Sequence, residues 1–414
     1  MDKFHLSRRS VVTATLAAPV ILGARARAAG TIQMISHRYP ALEYFAEKMR
    51  TAIPGVTVNT QLMPFDKALE LITIAMSSKA DTLDIVYASD TSFQTFAKNG
   101  WIRPLDDLWA KYRDEFKLDD FPESVRKTYT YDGKLYVMPH TVNTMMFFYR
   151  KDLFDAANKQ PPKTFAEYRD LAKSFNSPMR SGSVNCLKPV DAAINEAHWY
   201  FNALGDGWFD KDWRPIFNDA KGVQAIGMMK EIVAYAQQGY TAAANDECMI
   251  AYQQDTGVMG LQWATRAKAM DDPAKSRVIN KIDWVAPPQG HARISGDGYA
   301  ISAFSKQDTD TLFRIIATSA SQASIRGAAS LLIPPRKSLL DDAELRKANR
   351  FYPAALASYD SGTPAPALPE FYAVGEFITR RILQAVTNEM PVKQALDTAA
   401  TETTDFLKGH GYYK

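Results

Sequence analysis

Strands and helices alternate along the first hundred residues, and this order constrains the fold more than any other feature of the sequence. The predicted strands cover 31–35, 56–61 and 83–87, and the helices that follow them cover 42–51, 66–77 and 93–99. Because each helix carries the chain back across the sheet, this order predicts an α/β fold with a mainly parallel, doubly wound sheet. In such sheets ligands bind beyond the carboxyl ends of the strands, where helix N-termini also point their amides. The loops at 36–39 and 88–92 lie at such ends.

The first 28 residues are predicted to form a removable export signal. Ser7-Arg8-Arg9 precedes a mildly apolar run from Val11 to Leu22, and Ala26-Arg27-Ala28 provides the small residues of a cleavage site. Paired arginines are typical of the twin-arginine route. The run is shorter than the ~20 strongly apolar residues of a membrane span. With no cysteine near the cleavage point, we expect a soluble periplasmic protein without a lipid anchor; a disordered basic tail is the alternative.

Removal of the signal makes the protein almost neutral. The segment carries five of the 49 Lys and Arg and one of the 46 Asp and Glu, which leaves 44 basic and 45 acidic residues. This balance provides no general attraction to nucleic acid or to an anionic membrane.

Nearly 390 residues remain, and this length favours two domains over one. Cys186 and Cys248 form either one disulfide bond or two buried thiols.

A proline interrupts the apolar segment 132–154. Lys134–Met138 is predicted to be one strand and Met145–Tyr149 another, with Pro139 ending the first because it has no amide hydrogen. Thr164-Phe165-Ala166-Glu167 has the pattern of a capping box and starts a further helix. A break marked by proline and followed by a second α/β unit indicates a passage between domains. Its polar residues are expected to face the cleft.

Short motifs are spread over nearly the whole mature chain. They are Asp84 to Val86, Phe96 to Leu105, Asp132 to Tyr136, Tyr149 to Phe154, Pro161 to Glu167, Gly296 to Ser302 and Pro335 to Leu339. Together and in this order, they resemble the extracellular solute-binding proteins of family 1, the carbohydrate-binding receptors of ABC importers. The chain departs from the family pattern at Arg150, where asparagine is usual, and at Asp297-Gly298-Tyr299, where a Gly-Trp pair is common.

The resemblance implies a two-lobed periplasmic-binding-protein fold, type II-like, in which each lobe is a mainly parallel sheet flanked by helices. Three hinge crossings are expected, near Pro139, near Pro287-Pro288 and near Pro334-Pro335. The N-lobe then combines 29–139 with 289–333, and the C-lobe combines 140–288 with 334–414. Helices between Phe371 and Leu407 are expected to pack on the outside of the C-lobe.

The function that the resemblance implies is capture without reaction. A periplasmic receptor would bind a sugar or polyol, close around it, and deliver it as a monomer to a permease of the inner membrane. Aromatic rings match the apolar faces of a sugar, and charged or amide groups match its hydroxyls. The candidate ligand-binding residues are His37, Arg38, Asp90, Thr91, Asn143, Trp199, Trp263, Gly296, Asp297, Tyr299 and Arg336.

The candidates at the strand ends have structural alternatives. Asp90 matches the family loop that holds a ligand-contacting acid, whereas Thr91 has the position of a helix cap with Gln94. His37 and Arg38 follow the first strand and are equally compatible with a solvated turn.

The later candidates have alternatives too. Asn143 follows the first crossing, where a turn asparagine is common. Trp199 belongs to an aromatic run typical of a core, whereas Trp263 matches a family tryptophan at the cleft. Gly296 lies where the family's glycine-rich strand approaches ligand, and glycine lets the backbone come close. Arg336 either binds ligand or pairs with a carboxylate across the hinge.

Motifs of enzymes and of metal sites are missing from the sequence. It contains no GxSxG, HExxH or P-loop motif, and its six histidines have no metal-ligand spacing. We therefore expect neither catalysis nor a cofactor. The alternative from another class is a secreted carbohydrate-active enzyme with paired carboxylates. Within binding proteins, His37, Arg38 and Arg336 permit an acidic or sulfonated sugar as ligand.

Overall fold

Eleven strands and seventeen α-helices make up residues 30–413, the part of the chain that the computed structural model describes. The predicted export signal lies outside these residues. The strands are β1 (Thr31–His37), β2 (Thr57–Met63), β3 (Ile85–Ser89), β4 (Thr130–Tyr131), β5 (Lys134–Leu135), β6 (Met138–Arg150), β7 (Ser181–Val184), β8 (Gly257–Trp263), β9 (Ile282–Val285), β10 (Arg293–Ile301) and β11 (Thr363–Pro364).

The α-helices alternate with the strands in the first half of the chain and dominate its end. They are α1 (Pro40–Arg50), α2 (Phe65–Ser77), α3 (Ser92–Lys98), α4 (Asp106–Lys111), α5 (Glu123–Thr128), α6 (Lys151–Ala156), α7 (Phe165–Phe175), α8 (Asp191–Leu204), α9 (Ala220–Val233), α10 (Asn245–Gln253), α11 (Thr309–Ser319), α12 (Gln322–Gly327), α13 (Lys337–Leu340), α14 (Ala343–Ala348), α15 (Tyr352–Asp360), α16 (Phe371–Val386) and α17 (Val392–Gly409). Two 3-10 helices cover Leu118–Asp120 and Ala264–Asp271.

Nine of the strands form one sheet in the order β2-β1-β3-β10-β6-β8-β7, with β11 beside β10 and β9 beside β6. The outer strands are parallel, since β1 is parallel to β2 and β3, and β7 is parallel to β8. The central strands β10 and β6 are antiparallel to each other. The predicted α/β class is confirmed.

Two hydrophobic cores lie on this sheet. The first is built mainly from the predicted N-lobe, around β1, β3, α1 and α11, and it also includes Tyr252 and Trp284 of the predicted C-lobe. The second is built from α7, α8, α9, α16 and α17. The predicted packing of the C-terminal helices against the C-lobe is therefore confirmed.

The predicted strand break at Pro139 is wrong, because β6 runs without interruption through thirteen buried residues. Its pairing with β10 shifts register instead: Asp297 pairs with Thr141, and the next residue, Gly298, pairs with Pro139. His140 is thus the extra residue of a β-bulge, a place where a sheet tolerates proline. From Met145 to Tyr149 the side chains of β6 alternate between the cores, since Met146 and Phe148 belong to the first and Met145, Phe147 and Tyr149 to the second.

The capping box predicted for α7 is confirmed. The hydroxyl of Thr164 accepts a hydrogen bond from the Glu167 backbone amide at 3.1 Å, and the Glu167 carboxylate accepts one from the Thr164 backbone amide at 3.2 Å.

Cys186 and Cys248 form a disulfide bond with their Cα atoms 6.1 Å apart, so the alternative of two buried thiols is excluded for this structure.

After Pro334-Pro335 the chain still contacts the predicted N-lobe. The Ser338 hydroxyl donates to Asp120 at 2.7 Å, and Arg326 donates to Asp342. Further along, Arg350 binds Asp271 of the predicted C-lobe at 2.9 Å. The lobe boundaries therefore stay a prediction, and the names N-lobe and C-lobe are kept here for the predicted ranges.

Candidate ligand-binding site

A small, partly open cavity of about 50 Å³ lies between the two lobes. At roughly 10–15 Å³ for each enclosed water molecule, the cavity has the size of about three to five waters, which is smaller than a sugar. The residues that line it are His37, Tyr39, Phe65, Tyr87, Ser89, Asp90, Asn143, Asp191, Asn195, Asn245, Trp263, Thr265, Arg266, Arg293, Ser295, Asp297 and Tyr372.

The sheet topology explains why the N-lobe residues meet here. The carboxyl ends of the parallel neighbours β1 and β3 lie side by side, which places His37 near Asp90. On the next strand, Asp297 of β10 pairs with Ser89 of β3 on one side and with Thr141 of β6 on the other. The adjacent strands β3, β10 and β6 therefore place polar residues along one edge of the cavity.

Asp90 forms a buried ion pair with Arg293. Its carboxylate accepts hydrogen bonds from both terminal guanidinium nitrogens, at 2.8 and 3.3 Å, and from the Ser295 hydroxyl at 2.6 Å. The two charged side chains are only 7% and 3% exposed. A buried pair of this kind provides charge-assisted hydrogen bonds in fixed directions.

Asp297 positions two tyrosines. The Tyr39 hydroxyl donates to one carboxyl oxygen at 2.5 Å, the Tyr87 hydroxyl donates to the other, and Thr141 adds a longer bond of 3.4 Å. Burial raises the pKa of Asp297, against the opposing effect of these hydrogen bonds. Tyr39, Tyr87 and Asp297 all line the cavity, so this group presents two aromatic rings and a carboxyl group to it.

His37 is held among aromatic rings and is neutral. Its ring makes edge contacts with Tyr39, Phe65 and Tyr87 at centroid distances of 5.1, 5.5 and 5.7 Å. Burial, and then the charges of Arg266 and Arg38, lower the pKa of His37 to about 3. An uncharged imidazole offers one donor and one acceptor to a hydroxylated ligand.

The C-lobe wall is built around Asp191, the first residue of α8. Its carboxylate accepts from the Tyr372 hydroxyl at 2.9 Å and from the side-chain amides of Asn195 and Asn245 at 3.2 and 3.1 Å. Burial is the largest cause of the raised pKa of Asp191. Trp263 ends β8 beside this group and supplies flat apolar surface.

Arg266 connects the two lobes across the cavity. Its guanidinium lies 5.2 Å from the centre of the Tyr39 ring and 2.9 Å from Asp246. Three buried atoms in the cavity wall have no hydrogen-bond partner among the described residues: Arg266 Nε, Arg293 Nε and Asn245 Oδ1. Buried polar atoms usually have a partner, and these two donors and one acceptor belong to side chains that line the cavity.

A second set of contacts between the lobes lies outside the cavity, and we refer to Lys98, Glu370 and Tyr412 as the clasp. Lys98 of α3 binds Glu370 at 2.5 Å and the Tyr412 hydroxyl at 3.3 Å. Tyr412 also donates to Glu370, and its ring centre lies 5.1 Å from the Lys98 ammonium. These contacts tie the N-lobe to the C-terminal segment.

Five of the eleven predicted site residues line the cavity, namely His37, Asp90, Asn143, Trp263 and Asp297. The other six do not. Arg38 is exposed, and Thr91 turns its hydroxyl back to Ser89 at 3.1 Å. The capping box predicted for Thr91 and Gln94 is wrong, because the Thr91 side chain accepts no cap hydrogen bond.

Trp199, Tyr299 and Arg336 are buried away from the cavity. Trp199 is fully buried in the second core and donates to the Pro288 carbonyl at 3.1 Å. The Tyr299 hydroxyl bonds Ser36 at 2.8 Å. Arg336 donates to the backbone carbonyls of Ala320, Lys117 and Phe116.

Gly296 also lies outside the lining. A Cβ atom at this position would come within 2.5 Å of the Tyr129 hydroxyl and 2.8 Å of the Thr141 carbonyl. The glycine is thus needed because another strand and a tyrosine approach it closely, not because of the cavity.

Twelve lining residues were not predicted from the sequence. Tyr39, Ser89 and Ser295 lie within two residues of predicted positions, so a wider window around the strand ends would have included them. Asp191, Asn245 and Tyr372 come from three separate helices or helix boundaries, and no local pattern distinguishes them.

Two classes of feature are missing from residues 30–413. No group of three or more His, Cys, Asp or Glu side chains is arranged to hold a metal ion. Within the same range, every helix is too short or too polar to cross a bilayer.

Comparisons with known proteins agree with this architecture. A family model for bacterial extracellular solute-binding proteins matches residues 36–316. The mannitol-binding protein of Pseudomonas aeruginosa is 22% identical over 396 residues, which cover 87% of this chain and 88% of that protein.

Two solved structures have the same fold. An ABC transporter solute-binding protein of Agrobacterium radiobacter K84 in complex with ribitol matches with a TM-score of 0.83 and 22% identity, over 91% of this chain and 99% of that one. A solute-binding protein of Agrobacterium vitis S4 with bound D-mannitol matches with a TM-score of 0.81 and 23% identity, over 93% and 100%. Since the family model covers more than half of the 414 residues, the chain belongs to the bacterial extracellular solute-binding proteins.

Proposed function

We propose that this protein is the substrate-binding component of an ABC importer and that it captures a small neutral polyol or sugar between its lobes. The observation that carries the proposal is the cavity between the lobes, whose wall combines carboxylates, amides, guanidiniums and aromatic rings from both lobes. Such a wall matches a ligand with many hydroxyls and apolar C–H faces. The relatives named as mannitol-binding, or solved with ribitol and D-mannitol, support a polyol.

The charges of the cavity favour a neutral ligand over an acidic or sulfonated sugar. Three carboxyl groups line it, from Asp90, Asp191 and Asp297, against the two guanidiniums of Arg266 and Arg293. The cationic cluster of His37, Arg38 and Arg336 expected from the sequence is not formed, because Arg38 is exposed and Arg336 binds backbone carbonyls elsewhere. An anionic ligand would therefore meet no excess of positive charge.

The proposal extends to location and partners. Membership of an extracellular family, together with the export signal predicted for residues 1–28, supports a periplasmic protein that delivers its ligand to a permease of the inner membrane. We propose that it acts as a monomer, with β6 and β10 serving as two of the hinge segments between its lobes.

A thermal-shift screen against polyols, neutral sugars and sugar acids tests the ligand class. We expect D-mannitol, ribitol or a related neutral compound to raise the melting temperature, since a ligand at 100 times its Kd adds about 2.7 kcal/mol to the free energy of unfolding. A shift caused only by sugar acids would contradict the neutral assignment.

Mass spectrometry of the ligand separates binding from catalysis. After prolonged incubation we expect the recovered polyol or sugar to have its original mass, as a receptor releases its ligand unchanged. A hydrolysed, oxidised or transferred product would instead support the carbohydrate-active enzyme.

Lobe closure predicts a role for the clasp. Lys98→Ala should weaken ligand affinity by up to about fivefold, because a partly exposed ion pair contributes ~0.2–1 kcal/mol and the clasp exists only when the lobes are together. Titration calorimetry measures the effect, which should shrink at high salt. Lys111→Ala is the matched control, since Lys111 pairs with Asp310 at 2.6 Å within the N-lobe. Equal losses of affinity in the two variants would contradict the role of the clasp.

A further inference from the structure

Five buried polar atoms of the C-lobe make no hydrogen bond of standard geometry to the described residues, although the Asn185 side chain lies close enough to lower the pKa of both Tyr168 and Glu196. They are Tyr168 OH, Asn185 Oδ1, Glu196 Oε2, Tyr200 OH and Tyr252 OH. None of these atoms lines the ligand cavity. Buried polar groups nearly always have a partner, and burying one without a partner costs free energy. Five such groups in one lobe therefore need a physical explanation.

The five groups are close to one another. A Cβ atom on Gly260 of β8 would come within 3.0 Å of the Tyr252 hydroxyl and 3.2 Å of the Tyr168 hydroxyl. Burial raises the pKa of all three tyrosines, and the nearby charge of Glu196 raises each of them further. The same Cβ atom would come within 2.3 Å of the Val184 carbonyl oxygen, so the backbone of β7 and the tyrosines of α7 and α10 approach the glycine closely.

Glu196 is the only carboxyl group among the five, and no salt bridge to it is present among residues 30–413. Its other oxygen, Oε1, accepts a hydrogen bond from the Cys186 amide at 3.1 Å. Burial raises the pKa of Glu196 to about 8, so the carboxyl group is mostly protonated at neutral pH. A protonated carboxyl and three tyrosine hydroxyls are all able both to donate and to accept.

We propose that this cluster is an internal water site, in which ordered water bridges Glu196 to the hydroxyls of Tyr168, Tyr200 and Tyr252 and to the Asn185 amide oxygen. A buried water makes about three hydrogen bonds, so about two waters satisfy five groups. A water molecule provides both donors and acceptors, as these partners require, whereas a metal cation would use only their oxygen lone pairs.

The location gives the site a structural role. Glu196 directly follows Asn195, which lines the ligand cavity, and Gly260 lies three residues before Trp263. The internal water would therefore join α8 to β8 directly behind the ligand wall. This inference does not depend on the identity of the ligand.

The sign of the effect of Tyr→Phe substitutions tests the proposal. If water bridges the hydroxyls, Tyr168→Phe, Tyr200→Phe and Tyr252→Phe should each lower the melting temperature, by about 2 °C. If the hydroxyls have no partner at all, each substitution removes an unpaired buried group and the melting temperature should rise, which would overturn the proposal. Tyr235→Phe, at a half-buried tyrosine of the same lobe, should leave it unchanged.

A high-resolution crystal structure of the unchanged protein provides a second readout that no folding defect can obscure. We expect ordered water within hydrogen-bond distance of Glu196 Oε2 and of at least two of the tyrosine hydroxyls. Side chains packed together without solvent, or a sodium or potassium ion in their midst, would overturn the proposal.

Discussion

Asp90→Ala is expected to weaken ligand binding and to destabilise the protein at the same time. Asp90 and Arg293 form a buried pair at 2.8 Å, so removal of the carboxylate leaves the guanidinium without its countercharge. Breaking such a pair lowers the free energy of unfolding by about 3–5 kcal/mol. Loss of one charge-assisted hydrogen bond to the ligand should raise Kd by roughly 10- to 150-fold. The partner Arg293 is 203 residues away in the sequence, so the expected loss of stability follows from the structure and not from the sequence.

Urea unfolding and titration calorimetry measure the two effects of Asp90→Ala separately. Asp255→Ala is the matched control, because Asp255 pairs with Arg150 and with Arg180 in the C-lobe, outside the cavity. The control should lose stability and keep its affinity for the ligand. Unaltered affinity in Asp90→Ala would remove the Asp90–Arg293 pair from the ligand site.

Glu196 is expected to make the stability of the protein depend strongly on pH. Burial raises its pKa from 4.5 to about 8, so the folded protein binds a proton between these values that the unfolded chain has released. The free energy of unfolding should therefore fall as pH rises from 4.5 to 8, by about 5 kcal/mol in total. Below pH 4.5 both states are protonated, and the group no longer contributes to the pH dependence.

Glu196→Gln removes this titration while keeping the size of the side chain. The difference in unfolding free energy between wild type and variant, measured at pH 5 and pH 8.5, should change by several kcal/mol in favour of the variant at the higher pH. Asp191 and Asp297 also have raised pKa values but are present in both proteins, so the comparison isolates Glu196. Parallel pH profiles would mean that Glu196 titrates normally.

Local signals in the sequence predicted much of the fold. The Thr164 capping box determines where α7 begins, because it depends on residues only three positions apart, whereas the terminal helices after Phe371 were expected from the family resemblance. Pro139 misled the prediction, because the missing amide hydrogen is accommodated by a bulge that only the partner strand β10 reveals.

The candidate site was predictable where a strand end determines a position. His37, Asp90 and Asp297 lie at strand ends or within motifs, and all three line the cavity. Trp199 and Arg336 have residue types suited to a ligand, but whether a side chain points to a cleft or a core depends on tertiary packing. Asp191 was not found, because its partners Asn245 and Tyr372 are distant in sequence.

A crystal structure of the protein with the strongest stabiliser from the thermal screen tests the central claim most directly. We expect an intact polyol or sugar in the cavity, in contact with the Asp90–Arg293 pair of the N-lobe and with Asp191 or Trp263 of the C-lobe. A ligand held by one lobe alone, or bound outside this cavity, would contradict capture between two closing lobes.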